Sequence, residues 1–112
     1  MQKELLHGTL EVMILKGLSS GRNHGFGIGK WIERLSDGAL RIEEGSLYPA
    51  LYRLERKGWI ESEWSLSENN RRAKYHALTA EGHRQLRAAQ SQWSEFAAAV
   101  GRVLSGPAPA GP

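Results

Sequence analysis

Ile42-Glu43-Glu44-Gly45-Ser46-Leu47-Tyr48-Pro49-Ala50-Leu51-Tyr52-Arg53-Leu54-Glu55-Arg56-Lys57-Gly58 is the stretch whose reading decides the fold. Leu47, Ala50, Leu51 and Leu54 recur at the i, i+3, i+4, i+7 spacing and mark one face of a helix. Gly45, Pro49, Tyr52 and Arg56 fall on the opposite face, with Tyr48 and Arg53 on its flanks. A solvent face usually mixes Glu and Lys. This one carries aromatics, a proline and arginines, a surface suited to an anionic partner. Pro49 is expected within the first turn, where a helix lacks intrahelical N–H partners, with Ser46 as N-cap. Gly58 stands where a left-handed C-cap is needed.

Outward from this helix, residues 59–67 alternate as a strand, residues 68–72 form a turn loaded with Asn and Arg, and residues 73–78 read as a second strand. A helix followed by a hairpin with a basic tip is the order of a winged helix-turn-helix. Its helix enters the major groove and its wing touches the neighbouring backbone. The fold class is therefore mainly α with a small β-hairpin.

On the N-terminal side, residues 9–18 read as a helix capped by Thr9. Leu10, Val12, Met13, Ile14, Leu15 and Leu18 make it apolar nearly all round, so a second subunit is expected to cover part of it at Leu10 and Ile14. Residues 25–36 read as a second helix with a buried stripe of Ile28, Trp31, Ile32 and Leu35. Gly25, Gly27 and Gly29 do not make a dinucleotide fingerprint, because Lys30 and Ile32 stand where the third glycine belongs. They read as close-packing positions. Residues 39–42 are expected as a short strand.

On the C-terminal side, Thr79 is an N-cap with Glu81 in the first turn. Leu86, Trp93 and Val100 are seven apart, and so are Ala89, Phe96 and Val103. That seam outruns any core of so small a domain and is expected to meet its copy in a dimer. Trp93 and Phe96 there are also the candidate contacts for a small planar aromatic effector. Residues 105–112, only Ser, Gly, Pro and Ala, are expected as a disordered tail.

Composition fits this reading. The chain has 112 residues, a net charge of +3 and no cysteine. It is long enough for one core, and disulfides, thiolate metal sites and a cysteine nucleophile are excluded. The four histidines lack ligand spacing, so no metal or cofactor is expected. No nucleophile elbow, P-loop or catalytic carboxylate pair is present, and an enzyme is not expected. Met1-Gln2-Lys3-Glu4 lacks a signal-peptide layout and no apolar run spans a bilayer, so the expectation is a cytoplasmic protein.

His24-Gly25-Phe26-Gly27-Ile28, Glu44-Gly45-Ser46-Leu47-Tyr48-Pro49-Ala50-Leu51, Leu54-Glu55, Arg71-Arg72-Ala73-Lys74-Tyr75 and Leu78-Thr79-Ala80-Glu81-Gly82 together resemble the PadR family of bacterial transcriptional regulators. Phe26 stands where many relatives have tyrosine. The resemblance implies a homodimeric repressor of the short branch, binding a palindromic operator in double-stranded DNA. Residues 1–78 would form the DNA-binding domain and 79–104 the dimerisation helix. The helix 45–57 and the wing 68–74 would carry the contacts: Ser46, Tyr48, Pro49, Tyr52, Arg53, Arg56, Asn70, Arg71, Arg72 and Lys74. From side-chain chemistry, Arg53 and Arg56 suit guanine, and Ser46, Tyr48, Arg71, Arg72 and Lys74 suit phosphate. The competing expectation is a winged-helix protein-interaction module without DNA binding, suggested by Glu55, Glu61, Glu63 and Glu68 close by.

Overall fold

The computed structural model describes residues 3–111, with side chains over residues 9–111. Met1, Gln2 and Pro112, parts of the N-terminal and tail readings, and the side chain of His7 lie outside the described residues. The order of elements is α1 (Lys3–Gly17), β1 (Asn23–His24), α2 (Gly25–Leu35), α3 (Glu44–Arg56), β2 (Ile60–Leu66), β3 (Arg72–Leu78) and α4 (Ala80–Ser105).

The apolar stripe of α3 behaves as its spacing demands: Leu47, Ala50, Leu51 and Leu54 are buried. They meet Leu10, Ile14, Leu15 and Leu18 of α1, Ile28 and Ile32 of α2, Ile60 of β2 and Leu86 of α4 in one core. Each buried leucine contributes about 2 kcal/mol. α3 ends as expected. Gly58 has φ +78, and its N–H donates to the Glu55 carbonyl at 3.0 Å while that of Trp59 donates to Leu54 at 3.1 Å. This double closure turns the chain directly into β2.

The start of α3 differs from expectation. Glu43 is the N-cap and makes no side-chain cap bond, so Ser46 lies inside the first turn. Pro49 is then the sixth helical residue and leaves the Gly45 carbonyl without its i+4 donor. A proline at such a place costs up to about 3 kcal/mol, which the burial of the stripe offsets.

Other boundaries shift for visible reasons. α1 begins at Lys3, so Thr9 is an interior residue and not a cap. Leu10 and Ile14 are 3% and 0% exposed within this one chain, because α2, α3 and α4 already cover them. They are withdrawn as interface residues, and so is Leu86 at 5%. Leu35 lies at the end of α2 and is exposed. Residues 39–42 form no strand. The strand that sequence reading missed is β1, which pairs antiparallel with β3 and makes the sheet order β1-β3-β2. Two residues are too short to show a period of two.

α4 starts as anticipated: the Gly82 N–H donates to the Thr79 hydroxyl at 3.0 Å. A Cβ on Gly82 would collide with the Trp59 carbonyl oxygen, so the close seating of α4 on the β2 start requires glycine. After Ser105 the chain has no regular structure through Gly111.

Candidate nucleic-acid interface

The outer face of α3 is open. Gly45, Tyr48, Pro49, Tyr52 and Arg56 are all exposed, on the side opposite the buried stripe. Beside this face lies a cleft of about 980 Å³, bounded by the start of α2, by α3 and by the hairpin. Phe26, Lys30, Tyr48, Tyr52, Trp64, Arg71 and Arg72 are among its lining residues.

The hairpin is in register from Ile60↔Leu78 to Leu66↔Arg72. Its tip is closed by the Ser67 N–H donating to the Arg71 carbonyl at 2.7 Å, with Asn70 in the left-handed region at φ 58. Asparagine accepts that conformation more readily than most residues. The turn therefore presents Arg71 and Arg72 to solvent.

The glycines at the start of α2 are also resolved. His24 Nδ1 accepts the Gly27 N–H at 3.0 Å and caps the helix. A Cβ on Gly25 would come within 2.8 Å of the Tyr48 ring, and one on Gly27 would meet Asn23. These close-packing positions bring the start of α2 onto α3 and seat Tyr48.

The cations fall into two overlapping sets, since Lys57 and Arg22 of the first also lie 4.5 and 4.6 Å from the ring centres of Trp59 and Tyr75. Arg53 Nε donates to Glu11 Oε1 at 3.1 Å, Lys57 Nζ to Glu11 Oε2 at 3.1 Å, Lys74 Nζ to Glu55 Oε2 at 3.2 Å and Arg22 to Glu63 at 2.8 Å. In the second set, aromatic faces hold the charge without cancelling it. Arg72 lies 4.8 Å from the centre of the Trp64 ring and Arg56 5.8 Å from that of Tyr52. Arg53 and Lys74 are thus engaged with carboxylates of their own chain and are not presented freely. Of the acids that suggested a protein-interaction module, Glu55 and Glu63 are spent in these pairs.

Beneath the cleft, His76 is buried and its Nδ1 shares a 2.6 Å hydrogen bond with the Ser62 hydroxyl. Burial lowers its pKa below the ordinary histidine value. Lys74 and His24 lower it further, and Glu55 opposes them.

The PadR-like transcriptional regulator family model matches residues 14–88, from the core of α1 to the first turns of α4. This chain belongs to that family. A PadR family regulator from Eggerthella lenta is similar at 35% identity, with 93% of this chain and 88% of that one covered and a TM-score of 0.75. A PadR-like regulator from Bacillus cereus is 27% identical over 94% of this chain and 100% of its own, with a TM-score of 0.79. A transcriptional regulator from Clostridium thermocellum gives 28%, 89%, 97% and 0.81 in the same order. The PadR winged-helix fold is thereby shown, and with it a role in DNA-binding regulation. Among the described residues, no helix is long and apolar enough to cross a membrane.

Sequence reading missed Phe26, Lys30 and Trp64 of this PadR cleft. Phe26 and Lys30 sit on a helix read only for packing. Trp64 was taken as a strand residue without a face. Its period of two with Ile60 and Ser62, which puts all three on one face of β2, was the available signal.

Proposed function

We propose that this chain is a homodimeric repressor that binds a palindromic operator, with α3 in the major groove and the wing on the adjacent backbone. The observation that carries the reading is the shared cleft. The exposed face of α3 and the cations Arg71 and Arg72 open into one concavity, with Arg56 on the same face. Pro49, Tyr52 and Arg56 are proposed for the groove. Ser46, Tyr48, Asn70, Arg71 and Arg72 are proposed for phosphate and sugar. Residues 1–78 make the DNA-binding unit and 79–104 the dimerisation helix, with Ala89, Trp93, Phe96, Val100 and Val103 in its seam. Trp93 and Phe96 have ring centres 6.2 Å apart and are proposed as contacts for a planar aromatic effector. Such a regulator works in the cytoplasm, where the chromosome lies.

The test is a titration of the gene's own upstream region at several salt concentrations, followed by footprinting. Log affinity should fall with log salt at about 0.9 per neutralised phosphate. Protection should appear as two half-sites about one helical turn apart. Binding that ignores salt, or no binding to the upstream region, overturns the proposal in favour of a protein-interaction module.

A further inference from the structure

Arg53 in the last turn of α3 and Lys57, its C-cap, stand four residues apart, and both reach across to the same carboxylate on α1. Both oxygens of Glu11 are occupied, each at 3.1 Å. The Glu11 side chain is only 22% exposed, against 39% and 42% for its two partners. The carboxylate is thus set back between the helices while the cations lie nearer the surface. Lys57 also lies 4.5 Å from the Trp59 ring centre, so it is held by both a ring and a carboxylate, whereas Arg56 is held over the Tyr52 ring with no carboxylate among the described ion pairs. A ring steadies a cation and leaves its charge available, whereas a carboxylate cancels it.

We propose that Glu11 limits general DNA affinity by occupying Arg53 and Lys57 in the place of DNA phosphate. The proposal rests on α3 being the DNA-reading helix. Affinity for DNA of any sequence is set by how many cations are free to displace counterions, about tenfold for each at 0.1 M salt. Glu11 removes two cations from that pool. The contacts that distinguish one sequence from another, made by the outer face of α3, are left as they are. Because phosphate contacts carry no sequence information, operator and unrelated DNA lose affinity alike, and it is the general affinity that Glu11 holds down.

The experiment measures binding to an unrelated duplex and to the operator fragment as a function of KCl, for wild type, Glu11→Gln, Arg53→Ala and Lys57→Ala. Glu11→Gln should tighten binding to the unrelated duplex by up to about tenfold per freed cation at 0.1 M salt and steepen its salt slope by up to about two units. Operator binding should tighten and steepen in the same measure, with sequence preference unchanged. Arg53→Ala and Lys57→Ala in the wild-type background should leave the slope on the unrelated duplex unchanged. A slope flattened by about one unit in either alanine variant overturns the proposal, because that cation was then already on phosphate. So does a folded Glu11→Gln protein with the wild-type slope. If Glu11→Gln does not fold, the two alanine variants decide. If wild type itself binds no duplex in a salt-dependent way, the DNA-binding reading of α3 is what has failed, and the wild-type titration alone reveals it.

Discussion

His76 is the residue where the fold is most exposed to pH. It lies opposite Ser62 in the β2–β3 register and under the cleft, facing Lys74 on its own strand, Glu55 on α3 and His24 on β1. Desolvation leads the causes that lower its pKa, so the folded state resists its protonation. The unfolded chain takes up that proton near the ordinary value of about 6.5. The sign follows: the stability His76 provides is present above that value and is lost as pH falls toward the lower, folded value. Thermal unfolding of wild type between pH 7 and 5 should show a falling Tm. His76→Gln, which keeps a polar side chain for Ser62 and cannot ionise, should show a shallower fall. Equal slopes for the two proteins would remove His76 as the cause. Nothing in the sequence marked this residue, since burial of one histidine in a seven-residue strand is decided by the α3 and β1 neighbours. By contrast, the Gly58 and Thr79 roles were legible, because a left-handed cap and a hydroxyl cap are local chemistry. The pairing of Arg53 was not legible, for the opposite reason. The residue's position on α3 was right, but its partner Glu11 is 42 residues away in the chain.

At the scale of elements, the helix stripes and the hairpin were readable from periodicity, and the core of α3 matches the four residues its spacing selects. The proline was readable and the helix start, expected near Glu44 to Ser46, falls at Glu44; the cap is what differed, Glu43 standing there in place of Ser46. The wing is an element whose function depends on having its cations free. Arg71 sits in the closing turn and Arg72 at the first position of β3, both exposed, with Arg72 laid over Trp64. Replacing Arg71 and Arg72 by alanine should weaken binding to every duplex alike and flatten the salt slope by about two units at most. The hairpin itself should persist, since its turn is closed by backbone bonds and by Asn70 in the left-handed region. Anisotropy titrations on operator and unrelated DNA read both quantities. A changed sequence preference at constant slope would mean that the wing reads base edges.

The whole molecule is far from round. Its radius of gyration is 16.7 Å and its extents are 66 × 28 × 21 Å, whereas a compact chain of this length has a radius near 13 Å. α4 is the reason. Its first two turns lie on the core through Leu86, but every residue from 90 to 105 is exposed. Trp93, Phe96, Val100, Val103 and Leu104 are exposed large apolar residues of this half. At 100° per residue they fall within a stripe about 100° wide, a width typical of a helix face that is covered. A lone helical extension of this length is marginal in water, and in the proposed dimer a second copy packing stripe to stripe would supply the missing cover. An aspartate at Val100 therefore tests assembly without touching the single-chain core, because nothing of that core reaches Val100. The variant should keep the far-UV circular dichroism of the winged-helix part and sediment as a monomer at micromolar concentration, because a charge buried in the seam has no partner. Losing the second DNA-binding unit should weaken operator binding by about 100-fold or more, while binding to a single half-site falls little. A Val100→Asp protein that sediments as a dimer and holds the full operator with wild-type affinity would take the stripe out of the interface and leave the exposed half of α4 for another partner.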